Sequence, residues 1–285
     1  MTRIVYVNGR YWPYAAAQVH AEDRGFQFAD AVYEVCEVRG GRLIDETRHM
    51  RRLARSLAEL GMPQPLSPGA WSRVLRETVR RNRVNDGLVY LQVSRGAQPR
   101  NFTFPDAQVR PTVVCLARAT PGREAAAGTG IAVTTAADIR WARRDIKTVM
   151  LLPSVLAKEA AKAAGAEEAW LVDAEGFVTE GASSNAWIVD PNGRLITRQI
   201  DQAILSGITR ATLIDLLKRE NIELIERRFS VAEAKAAREA FVTSATNIVM
   251  PVVAIDGVPI GNGAPGLLTL RLRAQFHAMA EVGAP

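Results

Sequence analysis

Two mixed α/β lobes, each with segregated strands and helices, are what this sequence predicts, and three observations carry the prediction. Apolar residues recur with a two-residue period in some segments and with a helical period in others. Such segments lie on both sides of Thr120–Gly130 (TPGREAAAGTG), a Gly-rich stretch of small residues without an apolar face that reads as a linker. The 285 residues, 48% hydrophobic and 23% charged, suffice for ample cores and exclude disorder, collagen and coiled coil. The expected organisation is a small α/β domain at 1–119, the linker at 120–130 and a larger domain at 131–285.

The elements follow in order. Ile4–Val7 is a short strand, and Val32–Val38 (VYEVCEV) alternates as a half-buried strand should. The Gly40-Gly41 turn leads into Arg42–Ile44, which makes a hairpin. Asp45 precedes a helical pattern through Leu53, Leu57 and Leu60 that Gly61 and Pro63 terminate. Ser67-Pro68 starts a second helix, running near Trp71 to Arg81, before strands at Leu88–Val93 and Thr112–Ala117. After the linker come a strand (Ile131–Thr135), a helix (Val155–Ala164), a strand (Ala169–Val172) and a Gly-bounded hairpin region. A helix from about Gly207, strands near Glu239–Val242 and Val249–Ile255, and a long helix from Gly266 to about Glu281 complete the chain.

Charge is carried unevenly. Of the 36 basic residues 31 are Arg and five are Lys, and the first 146 residues hold 22 Arg against 14 acids, a net of +8. That excess invites a nucleic-acid reading, but the arginines are dispersed over helix faces (Arg48, Arg51, Arg52, Arg55), without an aromatic platform or a helix-turn-helix pattern. A basic nucleic-acid-binding module is therefore the remote alternative. Cys36 and Cys115 sit in apolar strand-like runs without metal spacing, which excludes a disulfide framework and fits a reducing compartment. His20, His49 and His277 are too scattered for a metal cluster, so no metal is expected. There is no signal-peptide core in Met1–Tyr14, and no run approaches the roughly 18 apolar residues of a membrane span. A cytoplasmic protein that docks neither membrane nor nucleic acid is the expectation. G-x-S-x-G, the Rossmann fingerprint and the Walker A loop are all absent.

Lysine scarcity narrows the candidates for amine chemistry to Lys147, Lys158, Lys162, Lys218 and Lys235. Lys147 precedes the apolar run Val149–Leu152; desolvation there would lower its pKa and make it a Schiff-base nucleophile. From this feature alone a strand-end lysine reaching solvent is the commoner outcome. The other four lie on helix surfaces. Ser206-Gly207-Ile208-Thr209 opens a helix, whose unpaired N–H groups suit a phosphate or serve an ordinary cap. Thr243-Ser244-Ala245-Thr246-Asn247 adds donors or is only a polar turn. Glu180 places a carboxylate at a strand end as a base, an ion-pair partner or an acceptor for a protonated ring nitrogen.

Five ordered motifs span nearly the whole chain: Asp23-Arg24-Gly25-Phe26 with Asp30-Ala31-Val32-Tyr33-Glu34; His49-Met50-Arg51-Arg52-Leu53; Asp145-Ile146-Lys147; Glu180-Gly181-Ala182-Ser183-Ser184-Asn185; and Gly207-Ile208-Thr209-Arg210. Together they resemble the fold-type IV pyridoxal-phosphate enzymes, the family of D-amino-acid and branched-chain aminotransferases. The Val-Tyr-Glu-Val stretch around Tyr33 and Ser94–Arg100 are similar to the D-amino-acid subgroup. The resemblance implies a homodimer that binds pyridoxal 5'-phosphate through a Lys147 Schiff base and moves the α-proton with the same amine. It implies Glu180 at the ring nitrogen, Leu205 on the ring face, and Arg52 with Ile208, Thr209, Ser244 and Ala245 at the phosphate. Tyr33, Arg100, Phe102 and Thr246 would meet the substrate, an amino acid alternating with a 2-oxo acid by ping-pong kinetics. The chain departs from the subgroup at Arg100-Asn101-Phe102, where Arg, any residue, His is familiar, and at Ala245, where a hydroxyl is common. The activity implied is transamination of D-alanine or D-glutamate with 2-oxoglutarate. A branched-chain or (R)-amine aminotransferase, or an aminodeoxychorismate lyase, is the alternative within the same fold.

Overall fold

The computed structural model describes residues 3–284, so Met1, Thr2 and Pro285, at the ends of the two expected domains, lie outside the described residues. The chain forms two compact units. The first takes the chain up to Gly122 together with Ile146–Met150 and the residues from Glu281 on; the second takes Arg123–Asp145 and Leu151–Ala280. Two short segments, Ile146–Met150 and the residues from Glu281 on, thus return to the first unit after the chain has entered the second.

The first unit is built on strands β1 (Ile4–Val7), β2 (Arg10–Pro13), β3 (Ala31–Arg39), β4 (Arg42–Leu43), β5 (Gly87–Ser94) and β6 (Thr112–Ala119). They lie in the order β2-β1-β6-β5-β3-β4, antiparallel throughout. Strand β2, unforeseen, is joined to β1 through Asn8-Gly9, both at positive φ (46° and 90°) as a tight hairpin turn requires. Beside the sheet run α1 (Arg24–Phe28), α2 (Glu46–Glu59) and α3 (Pro68–Arg81), with a 3-10 turn at Tyr14–Ala16. Helix α3 begins where Ser67 accepts from the Ala70 N–H and Pro68 presets the first turn. Helices α2 and α3 bury Leu53 and Leu57, and Trp71, Leu75 and Val79, at the i, i+4 spacing of a single face.

The second unit starts earlier than expected. Residues 120–130 are not a bare linker: Glu124–Thr129 forms α4, because its alanines favour helix and Ala127 buries itself in the second core. There follow β7 (Ile131–Ala137), α5 (Leu152–Ala163), β8 (Glu168–Val172), β9 (Val178–Gly181), β10 (Asn185–Val189), β11 (Leu195–Thr197) and α6 (Ile208–Arg219). Then come β12 (Leu224–Glu226), α7 (Val231–Lys235), β13 (Glu239–Ser244), β14 (Ile248–Ile255), β15 (Val258–Pro259) and α8 (Leu267–Met279). The strands make one mixed sheet, β12-β11-β10-β13-β14-β7-β8-β9, with β15 on β14. Pairs β11/β12, β14/β7 and β7/β8 are parallel. Strands β9 and β10 are buried along their whole length, as strands covered on both faces are.

Trp187 of β10 stacks on Phe241 of β13 at 5.4 Å and 11°, and its Nε1 donates to Thr243 Oγ1 at 2.9 Å. That contact ties together the two strands whose ends carry Asn185 and Ser244. Among the described residues no helix is long and apolar enough to cross a membrane, and no cluster of His, Cys, Asp and Glu is poised to hold a metal ion. Replacing Trp187 with Ala removes a fully buried ring and is expected to cost about 3–5 kcal/mol, read as a lower midpoint in urea unfolding.

Candidate active site

In the first unit, β3 decides which residues face inward. Its period of two buries Val32, Glu34, Cys36 and Val38 on one side and leaves Tyr33, Val35 and Glu37 half-buried on the other. A carboxylate among valines requires partners, and α2 supplies them. Arg52 donates from Nε to Glu34 Oε1 and from Nη2 to Oε2, both at 2.8 Å, and His49 Nδ1 lies 2.7 Å from Oε2. Burial opposes the charge, yet the Arg52 guanidinium and the His49 ring hold the Glu34 carboxyl at about 2 instead of 4.5. Arg52, expected at a phosphate, thus gives two of its five donors to Glu34. The network escaped the sequence reading, although a Glu on the apolar parity of a strand was its signal.

The Lys147 segment is strapped to the same strand and helix. Tyr33 N–H donates to Lys147 O (3.0 Å), Val149 N–H to Ala31 O (3.1 Å), and Val32 bridges Thr148. Lys147 N–H reaches Ser56 Oγ at 3.4 Å, one turn beyond Arg52 on α2. This pairing sets Lys147 Nζ 4.1 Å over the Tyr33 ring, which itself stacks on Tyr90 at 5.7 Å. In the run after it Met150, Leu151 and Leu152 are exposed, and the ring that covers the half-buried Lys147 amine is that of Tyr33. Tyr33 and Lys147 are therefore brought together, as are Arg100 and Phe102. The Arg100 guanidinium lies 4.9 Å from the Phe28 ring and 5.2 Å from the Phe102 ring. Their loop is tied down from an unforeseen direction, since Arg24 Nη1 donates to the carbonyls of Asn101 (2.6 Å) and Thr103 (3.1 Å) while its Nε holds Asp30.

In the second unit, Glu180 lies one residue before the end of β9 with its carboxylate buried. Arg140 Nη1 donates to Oε1 at 2.6 Å, Asn185 Nδ2 to Oε2 at 3.0 Å, and the Leu205 N–H lies 3.1 Å from both oxygens. Burial pushes this carboxyl above its ordinary value, with Arg140 and the Leu205 N–H pulling it back. Of the three roles left open, the structure makes Glu180 an ion-pair partner and an acceptor of N–H groups. Leu205 meets it through its backbone.

Asn185 links this group to the phosphate candidates. Its amide also donates to Leu205 O at 3.0 Å, and a Cβ on Gly207 would collide with its Oδ1. Gly207 is the N-cap of α6 and has no side chain to cap it, so the first N–H groups at Ile208 and Thr209 lack intrahelical partners. Asn185 further pairs with Thr243 across β10 and β13, which brings the Ser244-Ala245-Thr246 turn alongside. In that turn Ser244 Oγ and Thr246 Oγ1 are 3.1 Å apart, and Ile248 closes it at φ +57°, a strained position for a β-branched residue. Arg140 was missed as a site residue because nothing in its own spacing distinguishes it from a surface polar group, and Asn185, though within the Glu180–Asn185 motif, was given no role of its own.

The chain matches the amino-transferase class IV family over residues 31–255. It is 39% identical to a D-alanine aminotransferase of Bacillus licheniformis, covering 96% of this chain and 95% of that one. It is 36% identical to a D-alanine aminotransferase of Staphylococcus haemolyticus, covering 97% and 98%. Among solved structures, a T.th. branched-chain amino acid aminotransferase with pyridoxamine 5'-phosphate superposes with a TM-score of 0.88 at 27% identity, over 97% of this chain and 93% of that one.

Glu34 is charged in the folded chain down to about pH 2 but titrates near 4.5 when unfolded, so its stabilisation is complete above about pH 5 and lost as pH falls towards 2. Up to about 3 kcal/mol of stability should disappear over that range. Glu34→Gln is expected to leave Arg52 buried without its counter-charge, costing about 3–5 kcal/mol at pH 7, and to flatten the acid slope. Urea unfolding from pH 7 to pH 3 measures both.

Proposed function

Because the chain belongs to the class IV aminotransferases, we propose that it transaminates D-amino acids, passing the amino group of D-alanine to 2-oxoglutarate to give pyruvate and D-glutamate, and that of D-glutamate to a different 2-oxo acid such as pyruvate. The near-complete overlap with D-alanine aminotransferases carries this reading. Enzymes of this family use pyridoxal 5'-phosphate. The residues fit such a group: a buried carboxyl acceptor at Glu180 paired with Arg140, and an uncapped helix start at Gly207, where a Cβ would strike Asn185 Oδ1.

The bound cofactor supplies an electron sink for the substrate's α-carbon. Lys147 would hold the cofactor through Nζ and would carry the substrate's α-proton on the same amine. Supporting this role, Lys158 and Lys235 are ion-paired with Glu168 and Asp256, and Lys162 and Lys218 are exposed on helices, whereas Lys147 is half-buried over an aromatic ring. Glu180 would accept from the ring nitrogen and Leu205 would pack on the ring. The N–H groups of Ile208, Thr209 and Ala245, the hydroxyls of Thr209 and Ser244, and Arg52 hold the phosphate, because anions suit a helix N-terminus and a fixed guanidinium. Tyr33 and Arg100 orient the substrate carboxylate, Thr246 meets the substrate, and Phe102 faces it as an apolar wall.

Phe102 favours a second reading. It offers no hydrogen bond, packs near Phe28 at 5.4 Å between ring centroids and is 78% exposed, which suits an apolar donor such as a branched-chain amino acid or an (R)-amine. We also propose a homodimer, supported by Leu152, Val155 and Leu156, exposed at i, i+3 and i+4 on α5. A cytoplasmic location is in keeping with two buried free thiols.

With 2-oxoglutarate as acceptor, D-alanine is expected to outpace L-leucine and (R)-1-phenylethylamine as donors, and D-glutamate is expected to serve as donor when pyruvate is the acceptor; exclusive use of L-leucine would sink the reading. Lys147→Ala is expected to lower the rate by more than about a thousandfold and to abolish the visible absorbance of the purified protein. Val155→Glu with Leu156→Glu should shift the mass found by light scattering towards the monomer, and an unchanged mass would place the interface elsewhere.

A further inference from the structure

The charges behind Glu180 form a set of four. Arg140 grips Asp138 with two donors, Nε to Oδ1 at 2.9 Å and Nη2 to Oδ2 at 2.8 Å, and extends Nη1 to Glu180 at 2.6 Å. Asp138 is in turn bound by Arg144, 3.3 Å away, and by the Thr179 hydroxyl at 2.8 Å. The two arginines balance the two carboxylates. All four groups are largely buried, with side-chain exposures of 12% for Arg140, 19% for Arg144, 0% for Asp138 and 4% for Glu180.

We propose that Arg140 is a positioning residue for Glu180, keeping its carboxylate charged and correctly aimed, and so setting how firmly the protein holds a protonated ring nitrogen. The inference rests on the reading of Glu180 as the partner of the cofactor nitrogen. Burial disfavours the charged form of Glu180, and a neutral carboxylic acid is no counter-ion for a cation. Three donors oppose that tendency, and of these only Arg140 carries a charge. The Leu205 N–H and the Asn185 amide are neutral dipoles, and Asp138 works against them through like-charge repulsion. What Asp138 contributes is the anchor: with two donors taken by its carboxylate, the planar guanidinium has one orientation, and that orientation aims Nη1 at Glu180. A lysine would keep the charge but could not fork between two carboxylates.

The test compares wild type, R140M, R140K, E180Q and the R140M/E180Q double variant, each loaded with pyridoxal 5'-phosphate. The readouts are the cofactor's dissociation constant, the pH midpoint of its visible absorbance, and the melting temperature of the cofactor-free protein. R140M is expected to weaken cofactor binding by about tenfold or more and to raise the midpoint by about one unit, since losing a nearby cation favours protonated forms. R140K should keep the midpoint and lose affinity several-fold. The double variant should bind no more weakly than E180Q alone, because both changes remove one interaction. The proposal is overturned if E180Q alters both readouts and R140M alters neither, or if the two effects add. Should E180Q itself match wild type, the reading of Glu180 fails and the proposal falls with it. If R140M does not fold, R140K decides, and wild-type affinity in that variant would overturn the proposal.

Discussion

A carboxylate taken out of water keeps its charge only where cations and N–H groups replace the water it lost, and among the carboxylates each unit buries, one lies at the candidate site. In the first, Glu34 is enclosed by Arg52 and His49. In the second, Glu180 is enclosed by Arg140, Asn185 and the Leu205 backbone. Everything around these groups is arranged to keep those donors in place. His49, Arg52 and Ser56 face one way on α2, so the helix that neutralises Glu34 also holds the Lys147 backbone. Asn185 joins Glu180 to the start of α6, and its strand pairing brings the Ser244 turn alongside. The same constraint explains the choice of arginine. A lysine inside such a network is prone to lose its proton as water is excluded, whereas a guanidinium remains charged and spans two oxygens at once.

The longer strands and helices were legible because their periodicity is a property of a few consecutive residues. Strand β3, helix α3 and the buried runs β13 and β14 announce themselves by spacing alone. Helix α4 did not, because a chain of alanines and glycines reads as a spacer until a second core exists for Ala127 to enter. The Ser230–Glu233 capping box that starts α7 was written in the sequence but passed unread.

The candidate residues divide along a similar line. Lys147, Glu180 and the Gly207-Ile208-Thr209 turn stand out through chemistry that neighbouring residues reveal. Arg140, Asn185 and Arg24 act across 40, 5 and 77 positions of sequence respectively, on Glu180 and Asn101. No local pattern encodes an arginine's target at such separations. Glu34 is the intermediate case, since its strand parity predicts burial but not which cation will meet it. The arginine excess of the first half, which spacing alone assigned to solvated faces, therefore conceals several interior ion pairs: Arg24 and Arg95 on Asp30, and Arg52 on Glu34.

The chain crosses between its two units at residues 122–123, 145–146, 150–151 and 280–281. Lys147 therefore rides on a five-residue excursion, and residues 281–284 return to close the first unit against Leu43 and Asp45, where Gly283 N–H donates to Leu43 O and Glu281 N–H to Asp45 Oδ1. During synthesis on the ribosome, the first 122 residues emerge with their sheet composed but two of its companions still unmade. The first unit must then wait for residue 150 to acquire its lysine and for residue 283 to cover the start of α2. Long-range closure of this kind slows folding and leaves an incomplete surface exposed while the second unit is being translated. The amine that carries the proposed chemistry is thus delivered to a nascent unit that has already left the exit tunnel.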